Sequence, residues 1–273
     1  MSVLLQGTLV LVGCGKMGSA LLEGWLARGV DSTKIVVLEP KHSTEVAEYM
    51  SKHGVRLNPP IASIIDAEVV IVAVKPQMME DVLPGLLPLM KAEPLVLSIA
   101  AGTTIAKFEA AFGKNISVIR SMPNTPAAIG CGITAMVGNA HVAHAQLLIA
   151  EALLSVAGEV VHVDNEAAID LVTAVSGSGP AYVFLLAETL AAAGEKVGLP
   201  KELAIRLARA TVSGSGELMR QSGIDAATLR ENVTSPNGTT HAALQVLMAD
   251  DGLKPLMEKA VAAAAKRSKE LAG

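Results

Sequence analysis

The feature that most restricts the fold of this chain is the regular alternation of short apolar runs and amphipathic stretches through its first half. The runs are rich in β-branched residues and predict strands, whereas the stretches between them have the three- and four-residue apolar spacing of helices. Strands that are apolar throughout are buried on both faces, which is typical of a parallel sheet with helices on each side. The predicted strands are Thr8–Val12, Ile35–Leu38, Val69–Val74, Leu95–Ile99 and Ser117–Ile119, and the predicted helices are Ser19–Ala27, Ser43–His53, Met79–Met90 and Thr104–Phe112, with Ser43 and Thr104 as candidate helix caps.

Two further runs, Ile133–Val137 and Val160–Val163, predict strands that extend the sheet, with the helix His144–Ala157 between them. After about Asp164 no β-rich run recurs, and Ala, Leu, Glu, Lys and Arg dominate. The sequence therefore predicts an α/β domain with a doubly wound parallel sheet, followed by an all-α domain. The helices predicted in the second domain are Ala181–Val197, Lys201–Gln221, Ala226–Val233 and Gly252–Leu271.

The predicted helix Ala181–Val197 is apolar on nearly every face. A helix that is apolar all round is buried, and a helical domain of this size has few positions that bury a whole helix unaided. We therefore predict that copies of this chain associate through the helical domain.

Composition and charge exclude several classes of protein. Hydrophobic residues make up 51% of the chain and charged residues 18%, so the chain has enough apolar surface for a buried core and is not disordered. The net charge of −4 and the 2% of aromatic residues provide neither a basic patch nor a stacking surface for nucleic acid. The uncharged stretch 121–150 is interrupted by Pro, Gly and Asn, so we predict no membrane span there.

Neither the cysteines nor the histidines form a metal-binding pattern. Cys14 and Cys131 lack the C-x-x-C spacing, and the six histidines include no H-E-x-x-H motif. We therefore predict no metal site and no disulfide framework. Two unpaired cysteines are typical of a reducing compartment, so we predict a cytoplasmic protein.

A glycine-rich turn follows the first predicted strand and opens the first helix. It fits the dinucleotide-binding fingerprint G-x-G-x-x-G, in which the glycines allow a tight turn, close approach of the pyrophosphate and close packing of helix on strand. An idle glycine turn is the alternative, but the position after a strand favours a dinucleotide site. The predicted contacts are Gly13, Cys14, Gly15, Lys16, Met17 and Gly18.

Glu39, at the end of the second predicted strand, leaves the choice between NAD and NADP open. A carboxylate at this position accepts hydrogen bonds from the adenine-ribose diol and repels a 2′-phosphate. Lys41 and His42 follow directly, and these cations pair equally well with a 2′-phosphate if Glu39 turns to solvent. The residues alone support both interpretations of Glu39, a ribose contact and a solvated side chain.

Two further turns follow strands at the carboxyl edge of the predicted sheet, where open α/β folds bind their ligands. Ala73-Val74-Lys75-Pro76 presents Lys75, which either reaches the cofactor or is an ordinary loop lysine. Met122-Pro123-Asn124-Thr125-Pro126 is a rigid polar turn that is either part of the site or scaffold.

Two polar turns lie in the predicted helical half. Ser176-Gly177-Ser178-Gly179-Pro180 lacks the G-x-S-x-G spacing of a nucleophilic serine, so we interpret it as a helix junction. The turn from Asn232 to Thr240 either binds a small carboxylate at a helix N-terminus or caps that helix through Asn237 or Thr239.

Together these motifs resemble the 1-pyrroline-5-carboxylate reductases, the enzymes of the last step of proline biosynthesis, over the whole chain. The β-hydroxyacid dehydrogenases share the fingerprint and the helical second domain, but their K-x-x-N motif is absent from this sequence. The motifs that carry the resemblance are Gly13–Gly18, Ala73–Pro76, Ser98–Gly102, Met122–Pro126, Val175–Tyr182 and Glu231–Thr240, of which the last two together are highly specific.

The resemblance implies a Rossmann-type NAD(P)-binding domain over residues 1–163 and a helical dimerisation and substrate domain over residues 164–273. It implies NAD(P)H-dependent reduction of 1-pyrroline-5-carboxylate to L-proline by a homodimer at least, in some members a ring of dimers. By motif, the residues that look like cofactor contacts are Asn58, Ala73, Val74, Lys75, Pro76, Ile99, Ala100, Ala101 and Asn232. Those that look like substrate-binding residues are Glu166, Asn232, Gly238, Thr239 and Thr240. The resemblance gives the catalytic role to the Thr240 hydroxyl, at the imine nitrogen.

Two positions depart from the pattern of that family. Glu39 stands where members often carry a small hydroxyl residue, which leaves NADP preference open, and we predict that both cofactors are used. Asn237 stands where members often carry glycine. This second change is mild because asparagine tolerates a left-handed backbone nearly as well as glycine.

Overall fold

The computed structural model describes residues 5–272, and its first half contains an eight-stranded sheet with the order β3-β2-β1-β4-β5-β6-β7-β8. The order of the first six strands is that of the doubly wound dinucleotide-binding fold, so the predicted fold class is confirmed. The strands are β1 (Thr8–Val12), β2 (Ile35–Leu38), β3 (Arg56–Leu57), β4 (Ala67–Val72), β5 (Leu95–Ser98), β6 (Val118–Met122), β7 (Gly132–Gly138) and β8 (Gly158–His162).

Alternate residues of β1 enter two hydrophobic cores, one on each face of the sheet. Leu9 and Leu11 belong to one core, and Val10 and Val12 belong to the other, which is why the strand is apolar throughout. The first core contains residues of α1 (Lys16–Ala27), α2 (Thr44–His53) and α5 (His144–Leu154); the second contains residues of α3 (Met79–Val82), the following 3-10 helix (Leu83–Ala92) and α4 (Ile105–Phe112).

The prediction of a wholly parallel sheet is wrong at β7. This strand runs antiparallel to β6, with Arg120 opposite Val137, and β8 runs parallel to β7. The connection 123–131 is too short for the crossover of about a dozen residues that a parallel pair requires. The chain therefore turns back, and the last two strands point the opposite way to the first six.

Local chemistry corrects two of the predicted helices. The predicted helix Met79–Met90 is α-helical only over Met79–Val82 and then becomes a 3-10 helix, because Pro84 and Pro88 lack the backbone N–H that an α-helix needs. Thr104 precedes α4 but makes no side-chain cap, so this predicted cap is wrong. Ser43 does cap α2, because its hydroxyl accepts the N–H of Val46 at 3.4 Å.

The second half of the described chain is helical, as predicted. The sequence did not predict its first short helix, Ala167–Val172, or the π-helical turn Thr173–Gly177 that follows. The elements are α6 (Ala167–Val172), the π-helical turn Thr173–Gly177, α7 (Gly179–Lys196), α8 (Lys201–Ser222), α9 (Ala226–Asn232), α10 (Thr239–Leu247) and α11 (Leu253–Ala272).

The described chain divides into two compact units, one containing the residues up to Gly177 together with those from Ala265, and the other containing Ser178–Ala264. In the second unit, α7 packs on α8 through small residues, since Ala191, Ala204 and Ala208 are buried. The predicted domain boundary at residue 163 stays a prediction.

The apolar side chains of α7 are largely exposed in the single chain. Phe184 is 66% exposed, and Val183, Leu185 and Leu186 are also exposed. The helical stretch Ala167–Lys196 is long and apolar enough to cross a membrane by length and composition alone. The helix is therefore not buried within one chain, which agrees with the prediction that copies of this chain associate through the helical domain.

Candidate functional site

The carboxyl ends of the first six strands lie at one edge of the sheet, because these strands are parallel. Open α/β sheets bind ligands outside this edge, at the point where the strand order reverses, here between β1 and β4. The structure therefore brings the predicted cofactor residues together. They are Gly13–Gly18 after β1, Glu39 after β2, Asn58 after β3, Ala73–Pro76 after β4 and Ile99–Ala101 after β5.

The glycine turn has the backbone geometry that a dinucleotide requires. Gly13 has a φ of +90°, and a Cβ there would lie 2.9 Å from the carbonyl oxygen of Ala73. A Cβ on Gly18 would lie 2.5 Å from the carbonyl oxygen of Gly13, whereas a Cβ on Gly15 would meet no atom within 4 Å. This open space lies at the N-terminus of α1, where no side chain caps the N–H groups. Such N–H groups attract a pyrophosphate, so the residues present fit a dinucleotide.

The carboxylate of Glu39 faces the glycine turn. Its Oε2 accepts the N–H of Cys14 at 2.9 Å, and its Oε1 accepts the N–H of Lys41 at 3.0 Å. Glu39 is half-buried, whereas Lys41 and His42 are exposed. This geometry supports the interpretation of Glu39 as a ribose contact over that of a side chain turned to solvent.

Asn58 holds the backbone of Glu39. Its Oδ1 accepts the N–H of Glu39 at 2.8 Å, and its Nδ2 donates to the carbonyl of Glu39 at 2.9 Å. The φ of Asn58 is +48°, a left-handed conformation that asparagine tolerates. Asn58 therefore positions Glu39 in this structure, and its direct contact with the cofactor stays a prediction.

The thiol of Cys14 is held in its neutral form. Burial, together with the nearby carboxylates of Glu39 and Glu23, raises the pKa of this thiol to about 11. The thiolate is the nucleophilic form, so Cys14 is unreactive near neutral pH. Its contribution to the site is its backbone N–H.

The turns after β4 and β5 are fixed by bonds that continue the sheet ladder. The N–H of Ala73 donates to the carbonyl of Val12 at 2.8 Å, and the N–H of Ile99 donates to the carbonyl of Val72 at 3.1 Å. The first residue of each turn is therefore bonded to the neighbouring strand at the edge of the sheet. Lys75 is exposed there, and both interpretations of its role remain open.

The turn Met122–Pro126 contributes to the scaffold. The Oδ1 of Asn124 accepts the N–H of Ile133 at 3.0 Å, which ties the turn to the start of β7. Asn124 also precedes the 3-10 helix Thr125–Ile129. The sequence left the role of this turn open, and the structure gives Asn124 a structural contact.

Sequence reasoning missed a buried charge at the centre of the first unit. Arg120 is 2% exposed, and its guanidinium donates to Glu166 Oε1 at 3.0 Å and to Asp170 Oδ1 at 3.3 Å. Glu166, which the family resemblance assigns to substrate binding, also accepts the N–H of Ile105 at 2.8 Å. A signal was present, since Arg120 is the one charged residue in the otherwise uncharged strand segment Ser117–Met122.

The turn Asn232–Thr240 lies in the second unit and ends at the N-terminus of α10. Gly238 is the N-cap residue, and no side chain caps the helix, so the predicted caps through Asn237 and Thr239 are wrong. Asn237 takes the left-handed conformation with a φ of +60°. The first N–H groups of α10 are thus left without a side-chain cap, which is the arrangement that favours an anion.

Two family models and curated relatives match this chain. Residues 166–271 match the family model of pyrroline-5-carboxylate reductase dimerisation, and residues 8–102 match that of the coenzyme F420-dependent NADP oxidoreductases. The chain is 42% identical over 266 residues to the pyrroline-5-carboxylate reductase of Pseudomonas aeruginosa, which covers 97% of this chain and 96% of that protein. The chain belongs to the pyrroline-5-carboxylate reductase family.

Solved structures of the pyrroline-5-carboxylate reductase family share the fold of this chain. The enzyme from Coxiella burnetii superposes with a TM-score of 0.91 at 34% identity, covering 98% of this chain and 100% of that one. The Plasmodium falciparum pyrroline carboxylate reductase, solved with NADP bound, gives a TM-score of 0.81 at 28% identity, covering 98% and 99%. The predicted family and the predicted class of NAD(P)H-dependent oxidoreductase are thus confirmed.

Proposed function

We propose that this chain reduces 1-pyrroline-5-carboxylate to L-proline with NADPH or NADH. The observation that carries the proposal is the open glycine turn at the carboxyl edge of the sheet, in a chain that matches this family of reductases along its length. A side chain at Gly15 would enter free space beside an uncapped helix N-terminus, where a pyrophosphate fits.

The cofactor is held by residues of the first unit. The reduced nicotinamide, when bound, supplies the hydride that C5 of the imine accepts. The N–H groups at the start of α1 hold the pyrophosphate, and Glu39 faces the adenine ribose, because its carboxylate is fixed beside the glycine turn. The turns Ala73–Pro76 and Ile99–Ala101 are the remaining cofactor contacts that we propose in this unit, whereas a cofactor contact of Asn232 stays a prediction from the family resemblance.

The substrate is held by its carboxylate and its ring nitrogen. The uncapped N–H groups around Gly238–Thr240 bind the carboxylate, because a helix N-terminus favours an anion. The hydroxyl of Thr240 hydrogen-bonds the ring nitrogen or relays a proton to it from water. Substrate binding by Glu166 and Asn232 stays a prediction from the family resemblance. Because the imine can bind already protonated, little side-chain acid–base chemistry is required, and positioning supplies most of the rate.

The chain acts as a homodimer at least, and a ring of dimers is the larger assembly that we propose. Support comes from the exposed apolar side chains of α7 and from the match of residues 166–271 to a dimerisation family. A partner helix is a better cover for this surface than a lipid bilayer, because the same chain carries the cofactor site of a biosynthetic reductase. The two free cysteines support a cytoplasmic location.

The test is a direct assay of turnover. The protein, mixed with NADPH and 1-pyrroline-5-carboxylate, is expected to consume NADPH and form proline, followed by absorbance of the reduced nicotinamide and by amino-acid analysis. The control is Gly15→Asp, which is expected to fold, since a side chain there meets no protein atom within 4 Å, and to lose NADPH binding by charge repulsion. NADPH binding by the wild-type protein without turnover would instead indicate a nicotinamide sensor.

The choice of cofactor depends on Glu39. We expect the wild-type protein to use both cofactors. Glu39→Ser is expected to raise the ratio of kcat/KM for NADPH over NADH about fivefold, because one charge contact at a partly exposed site contributes about 1 kcal/mol. The matched control is Glu48→Ser, which removes a charge from the exposed surface of α2. An unchanged ratio in Glu39→Ser would show that this carboxylate does not face the ribose.

A further inference from the structure

Four residues of the first unit form a polar cluster in which Arg120, Asp170 and Ser268 are buried and Glu166 is half-buried. Arg120 lies on β6 and donates through Nη1 to Glu166 Oε1 at 3.0 Å and through Nη2 to Asp170 Oδ1 at 3.3 Å. The hydroxyl of Ser268 donates to the same Asp170 oxygen at 2.9 Å. The cluster therefore joins the sheet to α6 and to the end of α11.

Stability alone is a weak reason for this cluster. Burying the guanidinium of Arg120 and the carboxylate of Asp170 carries a desolvation penalty, and an apolar replacement of similar volume is often neutral or stabilising. Within residues 5–272, moreover, the buried Nε of Arg120 has no hydrogen-bond partner, which adds to the cost. A charge held at such a cost suggests that its position serves another purpose.

The hydrogen bonds of Glu166 link Arg120 to the start of α4. Its Oε1 accepts two hydrogen bonds, one from Arg120 and one from the N–H of Ile105 at 2.8 Å. Ile105 is the first residue of α4, and the preceding Thr104 provides no side-chain cap. Glu166 thus caps α4 from 61 positions away along the chain. A carboxylate at a helix N-terminus is also favoured by the helix dipole.

The N-terminus of α4 follows closely after the proposed cofactor-binding segment Ile99–Ala101. Residues Ile99–Ala101, which follow β5, are separated from α4 only by Gly102, Thr103 and Thr104. Thr103 is buried, and the N–H of Ala100 donates to the Ser98 hydroxyl at 3.3 Å, so the segment is packed at both ends. Movement of Glu166 would therefore reach the cofactor segment through the start of α4.

We propose that Arg120 is a positioning residue for the reaction. It holds the Glu166 carboxylate so that one oxygen caps α4 behind the segment Ile99–Ala101 while the same side chain stays in place for the substrate. The inference rests on the proposed function for the roles of Glu166 and of this segment. Arg120 itself touches neither ligand, and it acts through Glu166.

The test compares Arg120→Lys, which keeps the positive charge but loses the two-pronged geometry, with Arg120→Met, which loses both. Both variants are expected to lower kcat/KM about 10- to 100-fold, mainly through a higher KM for 1-pyrroline-5-carboxylate, because small displacements of binding groups have effects of that size. Both are also expected to lose protection of the Ile105 amide in hydrogen exchange. Glu166→Gln, combined with Arg120→Lys, is expected to be no worse than the more impaired single variant, since both act on one contact.

The control for simple destabilisation is Ile119→Ala, a fully buried neighbour that belongs to the core on the opposite face of the same strand. It is expected to lower Tm while leaving both the KM and the exchange of the Ile105 amide unchanged. A KM shift in Arg120→Lys no larger than in Ile119→Ala, or wild-type protection at Ile105, would overturn the proposal. If Arg120→Met does not fold, Arg120→Lys and Glu166→Gln decide the question.

Amide exchange needs no turnover, so it separates this inference from the proposed function. A wild-type protein that fails to reduce 1-pyrroline-5-carboxylate would refute the reductase function. If Ile105 exchange in that protein still depended on Arg120, the contact from Arg120 through Glu166 to α4 would be confirmed. The positioning role of Arg120 in this reaction would nevertheless be refuted together with the reductase function.

Discussion

Phe184→Glu is expected to abolish association of the chain, raising the dimer dissociation constant at least about a hundredfold. Phe184 is 66% exposed in the single chain, so the substitution leaves the packing of one chain almost unchanged. In an assembly through α7, the new carboxylate would be buried without a partner, which costs about 3–5 kcal/mol, and about 1.4 kcal/mol corresponds to a factor of ten. Sedimentation or light scattering over a range of concentrations measures the change.

The matched control for this prediction is Ile65→Glu. Ile65 is 83% exposed and lies in the first unit, so the substitution introduces the same charge at an even more exposed apolar position outside α7. It is expected to leave the assembly intact. A Phe184→Glu protein that still dimerises at micromolar concentration would show that another surface holds the subunits together.

Thr240→Ala is expected to lower kcat about a hundredfold or more, because proton transfer or hydrogen bonding at the reacting nitrogen typically contributes that much. Thr240 is half-buried in the first turn of α10, and its loss leaves the glycine turn of the other unit untouched. The affinity for NADPH, measured by nicotinamide fluorescence, is therefore expected to stay close to that of the wild type. Steady-state kinetics with 1-pyrroline-5-carboxylate measures the effect on turnover.

Thr240→Ser is the companion variant, since it keeps the hydroxyl and removes only a methyl group. It is expected to retain most of the wild-type turnover. Equal losses in Thr240→Ala and Thr240→Ser would assign the effect to packing around the helix start. Wild-type turnover in Thr240→Ala would remove this hydroxyl from the mechanism.

Some features of the fold follow from local sequence because their causes are local. The strands Thr8–Val12 and Ile35–Leu38 have the predicted bounds, since an apolar β-branched run between turn residues leaves little choice of conformation. The conformation of the glycine turn also follows from the sequence, because the steric need for glycine at Gly13 and Gly18 acts over a few residues. The Ser43 cap is a contact of the same short range.

Other predictions failed where a neighbour distant in sequence decides the outcome. The direction of β7 depends on which strand it pairs with and on the length of the preceding connection. Apolar periodicity predicts that a strand forms, but it does not predict the partner strand or the direction. Glu166 caps α4 instead of Thr104, because the Ile105 N–H donates to the carboxylate of Glu166, 61 positions away in the sequence.

The sequence by itself determined the family, the doubly wound sheet, the glycine turn and the order of the motifs, because these depend on residue type and spacing along the chain. The tertiary structure alone decided that Glu39 turns toward the Cys14 N–H and that Arg120 meets two carboxylates from α6 and its start. Charges find their partners in space, and their energy depends on distance and burial, which spacing along the chain does not encode.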